Sequence, residues 1–279
     1  MKKMFAVIGD PIAHSMSPAM HNDLFGMYGI DASYLPLRVS SSDLEVAVKG
    51  LKAIGISGFN VTIPHKTTIM THLDRLDPLA EAIGAVNTVK NEDGQLIGYN
   101  TDGPGFVRGL KSKIADLESR SALIIGAGGA ARAIYFSMAE AGVQKIDIYN
   151  RTPQKAEALV EACPYKVDSK VVSSEEARRR MGSYRLIVQT TSIGMLPDTD
   201  KVPLQITDIP SDALVSDIIY NPPLTKFLEN AAENGATVQN GIDMFIYQGA
   251  LAFEKWTGIF PDTERMKQNV LQHLGGSTC

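Results

Sequence analysis

Short apolar runs alternate with amphipathic stretches along the first part of the chain. The apolar runs predict strands at residues 5–8, 34–39, 58–63, 86–89 and 95–99. The amphipathic stretches predict helices at residues 18–28, 42–52, 66–73 and a further one ending at Ile83. Asp93-Gly94 marks a tight hairpin turn between the last two strands. Strands that alternate with helices are typical of an α/β fold with a largely parallel sheet.

A second α/β set follows a helix that is predicted near residues 104–113. Its predicted strands lie at 122–125, 145–149, 186–189 and 213–216, and its predicted helices at 130–141 and 153–162. The tail predicts two helices, at 244–257 and 262–274, which we expect to pack on the first domain. Two α/β domains leave a cleft between them, which is the usual place for a ligand.

Composition and charge restrict the classes of partner. The chain has 279 residues, enough for two domains, and a formal net charge of -4, which argues against nucleic acid or an anionic membrane. No apolar run is long enough to span a bilayer, and the N-terminus runs into a strand rather than a signal peptide. Cys163 and Cys279 lack metal-ligand spacing, and no Cys/His/Asp cluster suggests a metal. We therefore expect a cytoplasmic protein with reduced cysteines and no metal.

The sequence SALIIGAGGAARA joins a predicted strand to a predicted helix through a glycine loop. Gly126 permits a tight turn, Gly128 allows a backbone to approach a pyrophosphate, and the small Ala131 lets the helix pack on the sheet. The helix N-terminus offers unpaired N–H groups to phosphates. This context favours a dinucleotide site over the alternative, a purely structural glycine turn.

The end of the next strand indicates which dinucleotide binds. Sites that prefer NAD place Asp or Glu at this point, where the carboxylate accepts from the ribose 2′-OH. Here the strand ends in Asn150-Arg151-Thr152, and Asp147 lies three residues too early. Arg151 can bind a 2′-phosphate through charged hydrogen bonds, which favours NADP. The alternative is a solvated arginine before a helix that Thr152 caps.

The stretch GFNVTIPHK places a lysine just beyond a strand end. Phe59, Val61 and Ile63 alternate with Asn60 and Thr62, which predicts one apolar and one polar face, and Pro64 ends the ladder. Polar groups at a strand end occur around binding clefts, but also on any exposed sheet face. In GDPIAHSMSPAMHN, Ser17-Pro18 is a good helix start, with serine as the N-cap. His14, His21, His65 and His72 are expected to have surface or packing roles, and Trp256 is expected to lie in the core.

These motifs together closely resemble those of the shikimate dehydrogenase family. The matching segments, in chain order, are GDPIAHSMSPAMHN, GFNVTIPHK, GAVNT, NTDG, GAGGAARA, NRT, TTSIGM, YNPPLT and QGALAFEKWTG. The resemblance implies two α/β domains: a substrate-binding catalytic domain of residues 1–102 plus 240–279 with a mostly parallel sheet, and a Rossmann-like NADP domain of residues 103–239. One departure is Gln189-Thr190, where Asn-Ala is the familiar pair, and it concerns the nicotinamide pocket.

The resemblance also implies the residues of the site. Lys66 and Asp102 match the catalytic pair. The positions that match the shikimate site are Ser15, Ser17, Asn60, Thr62, Lys66, Asn87, Asp102, Tyr220 and Gln248. The positions that match the NADP site are Gly126, Ala127, Gly128, Gly129, Ala130, Asn150, Arg151, Thr152, Pro153, Gln154, Lys155, Ile218 and Gly241.

The implied reaction is the reversible NADPH-dependent reduction of 3-dehydroshikimate to shikimate, in aromatic amino-acid biosynthesis. Its chemistry requires a proton carrier, and Lys66 can give a proton to the forming alkoxide while a carboxylate such as Asp102 orients it. Two alternatives remain: a relative that accepts quinate or uses NAD, and an NADP-sensing protein without turnover. The sequence leaves the oligomeric state open, with a homodimer among the options.

Overall fold

The chain folds into two compact units in a computed structural model that describes residues 2–275. One unit comprises the residues up to 101 together with those from 246 onward, and the other comprises residues 102–245. Cys279, one of the two cysteines of the sequence, lies outside the described residues. The substrate and coenzyme roles expected for the two domains stay predictions at this point.

The first unit is built on a six-stranded sheet with three helices from the N-terminal part of the chain. Its elements are β1 (Lys3–Gly9), α1 (Ser17–Met27), β2 (Ala32–Arg38), α2 (Leu44–Ala53), β3 (Gly58–Val61), β4 (Arg75–Leu76), α3 (Pro78–Ile83), β5 (Thr88–Glu92) and β6 (Gln95–Tyr99). The strand order is β2-β1-β3-β5-β6-β4. β1 is parallel to β2 and β3, whereas β5 is antiparallel to β3 and β6. The sheet is therefore mixed.

The second unit contains a six-stranded sheet in which all pairs are parallel. Its elements are α4 (Asp102–Lys111), β7 (Ser121–Ile125), α5 (Gly129–Glu140), β8 (Lys145–Tyr149), α6 (Pro153–Glu161), β9 (Val171–Val172), α7 (Ser174–Arg179), β10 (Leu186–Gln189), β11 (Leu214–Asp217), α8 (Lys226–Glu233) and β12 (Thr237–Gln239). The order β12-β11-β10-β7-β8-β9 is the doubly wound order of dinucleotide-binding folds, with β7 as its first strand.

Continuous apolar runs form the central strands of this second sheet. Residues 122–125 of β7 and 186–188 of β10 are all buried, because helices cover both faces of a doubly wound parallel sheet. α4 packs closely on α5 at Gly103, where a Cβ atom would collide with the Ala133 carbonyl oxygen. The short, continuous apolar segments of the sequence therefore correspond to strands whose two faces are both buried.

The tail consists of α9 (Gly241–Thr257) and α10 (Thr263–Gly275). Arg265 of α10 makes two hydrogen bonds of 2.7 Å with the Asp23 carboxylate of α1. Trp256 of α9 is buried and its indole N–H donates to the Val89 carbonyl of β5 at 2.9 Å. The expectation that the tail packs on the first domain is therefore confirmed, as is a core position for Trp256.

Several predicted elements differ from the structure. The helix predicted at 66–73 is a short 3₁₀ helix, Thr68–His72. The strand predicted at 58–63 ends at Val61, and Ile63 is 70% exposed rather than part of an apolar face. β4, β9, β12 and α7 were not predicted, because they are short and carry little periodic signal. α8 was also missed, although it is amphipathic, with Phe227, Leu228 and Ala231 buried.

Within residues 2–275, no helix combines the length and the apolar character that crossing a bilayer requires.

Candidate active site

The loop after β1 carries the two serines of the first predicted motif. The hydroxyl of Ser15 accepts from the Ser17 main-chain N–H at 3.4 Å, and Ser17 is the first residue of α1. The prediction that Ser17 caps this helix was wrong, because Met16 occupies the N-cap position. Ser17 is buried, and its side chain lies close enough to the phenol of Tyr34 to lower the pKa of that tyrosine, against the larger raising effect of burial.

Asn60 lies in β3 and is buried, so the polar face predicted for this strand is not exposed. Its amide oxygen accepts from the Tyr34 hydroxyl at 2.7 Å. Its amide nitrogen donates to the Asn87 carbonyl at 3.1 Å and to the Thr88 hydroxyl at 3.0 Å. Each of these bonds holds the amide at the end of β3.

Lys66 follows β3 in a segment whose main chain is anchored on both sides. The Lys66 carbonyl accepts from the Val86 N–H at 2.7 Å, and the His65 N–H donates to the Thr62 carbonyl at 2.9 Å. The buried ring of His65 lies 2.7 Å from the Val39 carbonyl oxygen. Thr62 and Lys66 are both partly exposed. The anchored turn therefore fixes where the flexible lysine side chain begins.

Asn87 is the centre of a second group of hydrogen bonds, just before β5. Its side-chain oxygen accepts from the Thr101 N–H at 2.7 Å, and its amide nitrogen donates to the Gln248 side-chain oxygen at 3.4 Å. The Thr88 and Thr101 hydroxyls lie 3.0 Å apart. Because Thr88 also contacts Asn60, one continuous network joins β3, β5, the end of β6 and α9.

The structure thus brings Ser17, Asn60, Asn87 and Gln248 together in the first unit. Lys66 and Thr62 follow the end of one of the same strands. Ser15 also lies in the first unit, and the other two predicted substrate residues belong to the second unit. Asp102 is the first residue of α4, and Tyr220 is 39% exposed beside the Phe245 ring.

The glycine loop joins β7 to α5 in the second unit. Gly126 has a φ of +118° and its N–H donates to the Tyr149 carbonyl at 2.8 Å. A Cβ atom there would collide with the Thr190 hydroxyl, so both conformation and space require glycine. By contrast, a Cβ atom on Gly128 or Gly129 would meet no protein atom within 4 Å. The protein's own packing therefore does not explain those two glycines.

The end of β8 leads into Asn150-Arg151-Thr152 and α6. The Asn150 amide donates to the Thr152 carbonyl at 2.8 Å, which closes the turn. Thr152 is the N-cap residue of α6, but its side chain makes no capping hydrogen bond. The alternative interpretation, a solvated arginine before a helix that Thr152 caps, therefore lacks the hydrogen bond that it requires. The side chains of Arg151, Gln154 and Lys155 are exposed.

Two cavities flank the loop of residues 190–196, which contains TTSIGM. One, of about 370 Å³, is lined by Gly126, Asn150 and Arg151 among others. The second, of about 550 Å³, is lined by Ile218, Tyr220 and other residues. Thr191 and Ser192 line both cavities, so this loop separates them. Such cavities lie where a doubly wound sheet binds ligands, at the carboxyl ends of its strands.

Gln189 and Thr190 hold this loop, a role that the sequence did not reveal. The fully buried amide of Gln189 donates to the carbonyls of Thr191 and Ile193 at 3.0 Å each, and accepts from the Thr191 N–H. The Thr190 hydroxyl donates to the Ile125 carbonyl at 2.7 Å. The Gln-Thr departure noted in the sequence therefore has a structural function, since both side chains tie the loop to its neighbours.

Asp217 organises the segment that includes Ile218 and Tyr220. Its carboxylate accepts from the Ile219 N–H at 2.9 Å and from the Thr225 hydroxyl at 2.8 Å. Burial raises the pKa of Asp217 to about 6, against the lowering effect of these two bonds. Gly241 packs on the same segment, where a Cβ atom would collide with the Ile218 carbonyl oxygen. Sequence reasoning missed Asp217, although it ends a strand before an irregular segment.

Asp147, which the sequence placed too early to bind a ribose, has a structural role. Its carboxylate is buried, accepts from the Tyr184 hydroxyl at 2.8 Å and pairs with Arg180 at 2.7 Å. Across the described part of the chain, no three His, Cys, Asp or Glu side chains cluster as metal ligands would.

The fold and these sites define a class of protein. A parallel sheet in dinucleotide-binding order, with a glycine loop after its first strand, defines a protein with a Rossmann-like dinucleotide-binding domain. Family models assign the chain more closely. They match residues 7–89 as a shikimate dehydrogenase substrate binding domain, 109–199 as shikimate / quinate 5-dehydrogenase and 241–271 as a shikimate 5'-dehydrogenase C-terminal domain. The chain belongs to the shikimate dehydrogenase family, so the resemblance seen in the motifs is confirmed.

Similar proteins cover nearly the whole chain. A shikimate dehydrogenase (NADP(+)) of Bacillus thuringiensis subsp. konkukian is 57% identical over 277 residues, which is 99% of this chain and 100% of that protein. A shikimate 5-dehydrogenase from Listeria monocytogenes, in complex with shikimate and NAD, has a TM-score of 0.92 at 37% identity, covering 96% of both chains. One from Thermus thermophilus, in complex with NADP(H) and shikimate, has a TM-score of 0.86 at 39% identity, covering 97% of this chain and 99% of that one.

The raised pKa of Asp217 predicts a pH dependence of stability. Between pH 3.8, the ordinary value, and about 6, the folded protein keeps a proton that the unfolded chain releases. The free energy of unfolding should therefore fall as pH rises through this window, by about 1–3 kcal/mol from this residue. Asp217→Asn should remove that contribution while keeping an acceptor for the Ile219 N–H. Chemical denaturation at several pH values measures it.

The control is Asp31→Asn, which removes an exposed carboxylate in the other unit. Its stability should depend on pH in the same way as that of the wild type. Parallel stability profiles for Asp217→Asn and the wild type would contradict the prediction.

Proposed function

We propose that this chain catalyses the reversible NADPH-dependent reduction of 3-dehydroshikimate to shikimate, in aromatic amino-acid biosynthesis, as a cytoplasmic enzyme. The observation that carries the proposal is the buried network of Asn60, Asn87 and Thr101 in the same unit as Lys66. The network gathers neutral amide and hydroxyl groups, which suit a substrate with several hydroxyls. Lys66, a potential proton carrier, follows the end of β3, the strand that carries Asn60.

Substrate binding is assigned to nine residues. We propose that the side chains that hold the carboxylated triol are Ser15, Ser17, Asn60, Thr62, Lys66, Asn87, Asp102, Tyr220 and Gln248. Amides and hydroxyls act as donors and acceptors without adding charge, so they can select hydroxyl positions by direction. Lys66 adds a positive charge, which favours an anionic substrate.

The second unit fits NADP. The open space at Gly128 and Gly129 allows a phosphate to approach the main chain, and the first N–H groups of α5 favour its negative charge. The exposed Arg151 lines the cavity at the end of β8, where it can pair with a 2′-phosphate. We assign NADP to residues 126–130, to residues 150–155, and to Ile218 and Gly241. When bound, NADP supplies or accepts the hydride.

The proton step is assigned to Lys66. Reduction of the ketone leaves negative charge on an oxygen, and the ammonium group of Lys66 can donate a proton to it, or remove that proton in reverse. Asp102 is the second member of the proposed pair, as an acceptor for a substrate hydroxyl. Fixed main-chain bonds at residues 65–66 limit the positions that the lysine can reach.

A nicotinamide absorbance assay tests the proposal against its alternatives. Shikimate with NADP should give turnover at a higher kcat/KM than quinate with NADP or shikimate with NAD. A preference for quinate or for NAD would identify another member of the family. Absence of turnover with all pairs would favour an NADP-sensing protein. The net charge of -4 supports a small-molecule partner rather than nucleic acid, and size-exclusion chromatography distinguishes a monomer from a homodimer.

If Lys66 carries the proton, Lys66→Met should lower kcat by about 10²–10⁴-fold, the usual range for a positioned acid or base. Methionine keeps much of the aliphatic bulk, so folding and NADP affinity should persist. Asp102→Asn should show a similar loss, and the double variant should lose less than the product of the two, because residues acting as a unit are not additive. Near-normal turnover of Lys66→Met with only a raised KM would make the lysine a binding group.

Coenzyme choice should depend on Arg151. A charged hydrogen bond contributes about 1.5–3 kcal/mol, so Arg151→Ala should weaken NADP binding by about one to two orders of magnitude and NAD binding little. Isothermal titration of both coenzymes measures the difference. Arg179→Ala is the control, since it removes an exposed arginine of α7 that lines neither cavity. An equal loss for both coenzymes would contradict a role at the 2′-phosphate.

A further inference from the structure

We propose that Tyr34 is a positioning residue that orients Asn60 and Ser17 toward the substrate, and that His21 and Asn22 of α1 hold Tyr34 in place. The inference rests on the proposed function, because it concerns how two of the assigned substrate residues are aimed. Tyr34 matches none of the family motifs in the sequence and was not among the predicted site residues.

The main-chain N–H and carbonyl groups of Tyr34 both form hydrogen bonds with a side chain. β2 lies at the edge of the first sheet, with β1 as its one neighbour. At Tyr34 the Asn22 amide takes the place of another strand: it donates to the Tyr34 carbonyl at 2.9 Å and accepts from the Tyr34 N–H at 2.9 Å. A two-point bond of this kind sets both the position and the direction of the residue.

The ring of Tyr34 is fixed by aromatic packing. His21 stacks on it with 4.6 Å between ring centroids and 22° between planes, and Trp256 lies 6.1 Å away. His21 is fully buried, and burial lowers its pKa to about 3, so the ring stays neutral at physiological pH. His21 therefore acts through the face of its ring and not through charge. The phenol has little freedom to turn away.

The hydroxyl of Tyr34 connects both substrate residues. It donates to the Asn60 amide oxygen at 2.7 Å, and the Ser17 side chain lies close enough to the phenol to lower its pKa against the effect of burial. Burial raises the pKa of Tyr34 well above its ordinary value, so the donor proton is retained. The Asn60 amide nitrogen faces the Asn87 carbonyl, an acceptor. A donor on one side and an acceptor on the other permit a single orientation of the Asn60 amide.

Removal of the hydroxyl should therefore loosen two substrate contacts while leaving the ring packing intact. In Tyr34→Phe, Asn60 loses the donor that fixes its oxygen, and Ser17 loses a polar neighbour. Shikimate should bind about tenfold more weakly, as expected for about one net hydrogen bond with a polar group left unpaired. The kcat should change less than the KM for shikimate, because neither residue transfers the proton, and the KM for NADP should stay unchanged.

Tyr135→Phe is the matched control. Tyr135 is also a fully buried tyrosine, and its hydroxyl bonds with Ser169 in the second unit. The Tyr135→Phe variant also loses one tyrosine hydroxyl and its hydrogen bond, so a general loss of stability would affect both variants alike. Thermal unfolding of the two variants confirms that they are comparably folded.

The experiment combines two measurements on the full chain. Titration calorimetry with shikimate alone, without coenzyme, should show weaker binding for Tyr34→Phe and unchanged binding for Tyr135→Phe. The side-chain amide NMR signals of Asn60, without any ligand, should shift in Tyr34→Phe and not in Tyr135→Phe. Equal shikimate binding by the wild type and Tyr34→Phe, or unmoved Asn60 signals, would overturn the inference. If the wild type itself fails to bind shikimate, the proposed function fails, and the Asn60 signals still decide whether Tyr34 orients that amide.

Discussion

Strand direction is the constraint on which both candidate sites depend. In the first unit β3 and β6 end at the same edge at which antiparallel β5 begins, because Asn60 pairs with Thr88 and Thr88 pairs with Tyr99. Side chains that are far apart in sequence therefore meet in one hydrogen-bond network. In the second unit all strands are parallel, so the glycine loop, Arg151, the loop of residues 190–196 and Ile218 all follow strand ends on one edge.

Burial determines which polar groups each unit uses. The first unit buries amides and hydroxyls, which form a network without the cost of desolvating a charge. The second unit buries three carboxylates, and each has an identifiable compensation. Asp243 pairs with Lys113 at 3.5 Å and accepts from the Gln239 amide at 3.1 Å. Asp147 pairs with Arg180 and accepts from Tyr184. Asp217 accepts from two neutral donors, and burial raises its pKa despite the lowering effect of those two hydrogen bonds. The hydrogen bonds of the buried Asp217 carboxylate hold the segment around Ile218 and Tyr220 in place.

The sequence predicted the features that depend on local pattern. The strand–loop–helix context of Gly126 and the tail helices are confirmed, because periodicity and glycine chemistry are local properties. Short strands such as β9 and β12 were missed, since two or three residues carry no measurable period. Gln189 and Tyr34 were missed for another reason: their partners are carbonyls and amides whose positions depend on tertiary structure. The same reason explains why Asn60 proved buried although its strand alternated.

The coenzyme end of β8 shows how packing and specificity are connected. A dinucleotide site for NAD needs a carboxylate at the strand end, and the acidic residue of this strand, Asp147, faces Arg180 and Tyr184 in the interior instead. Moving that carboxylate to the strand end would remove the 2.7 Å partner of Arg180, leaving it Glu176 at 3.6 Å, and would leave the Tyr184 hydroxyl without its acceptor. The carboxylate of this strand therefore lies in the core. The residues after the strand end, Asn150 and Arg151, line the adjoining cavity. A neutral amide and a cation at that point suit a 2′-phosphate, so the same arrangement that stabilises the sheet also favours NADP.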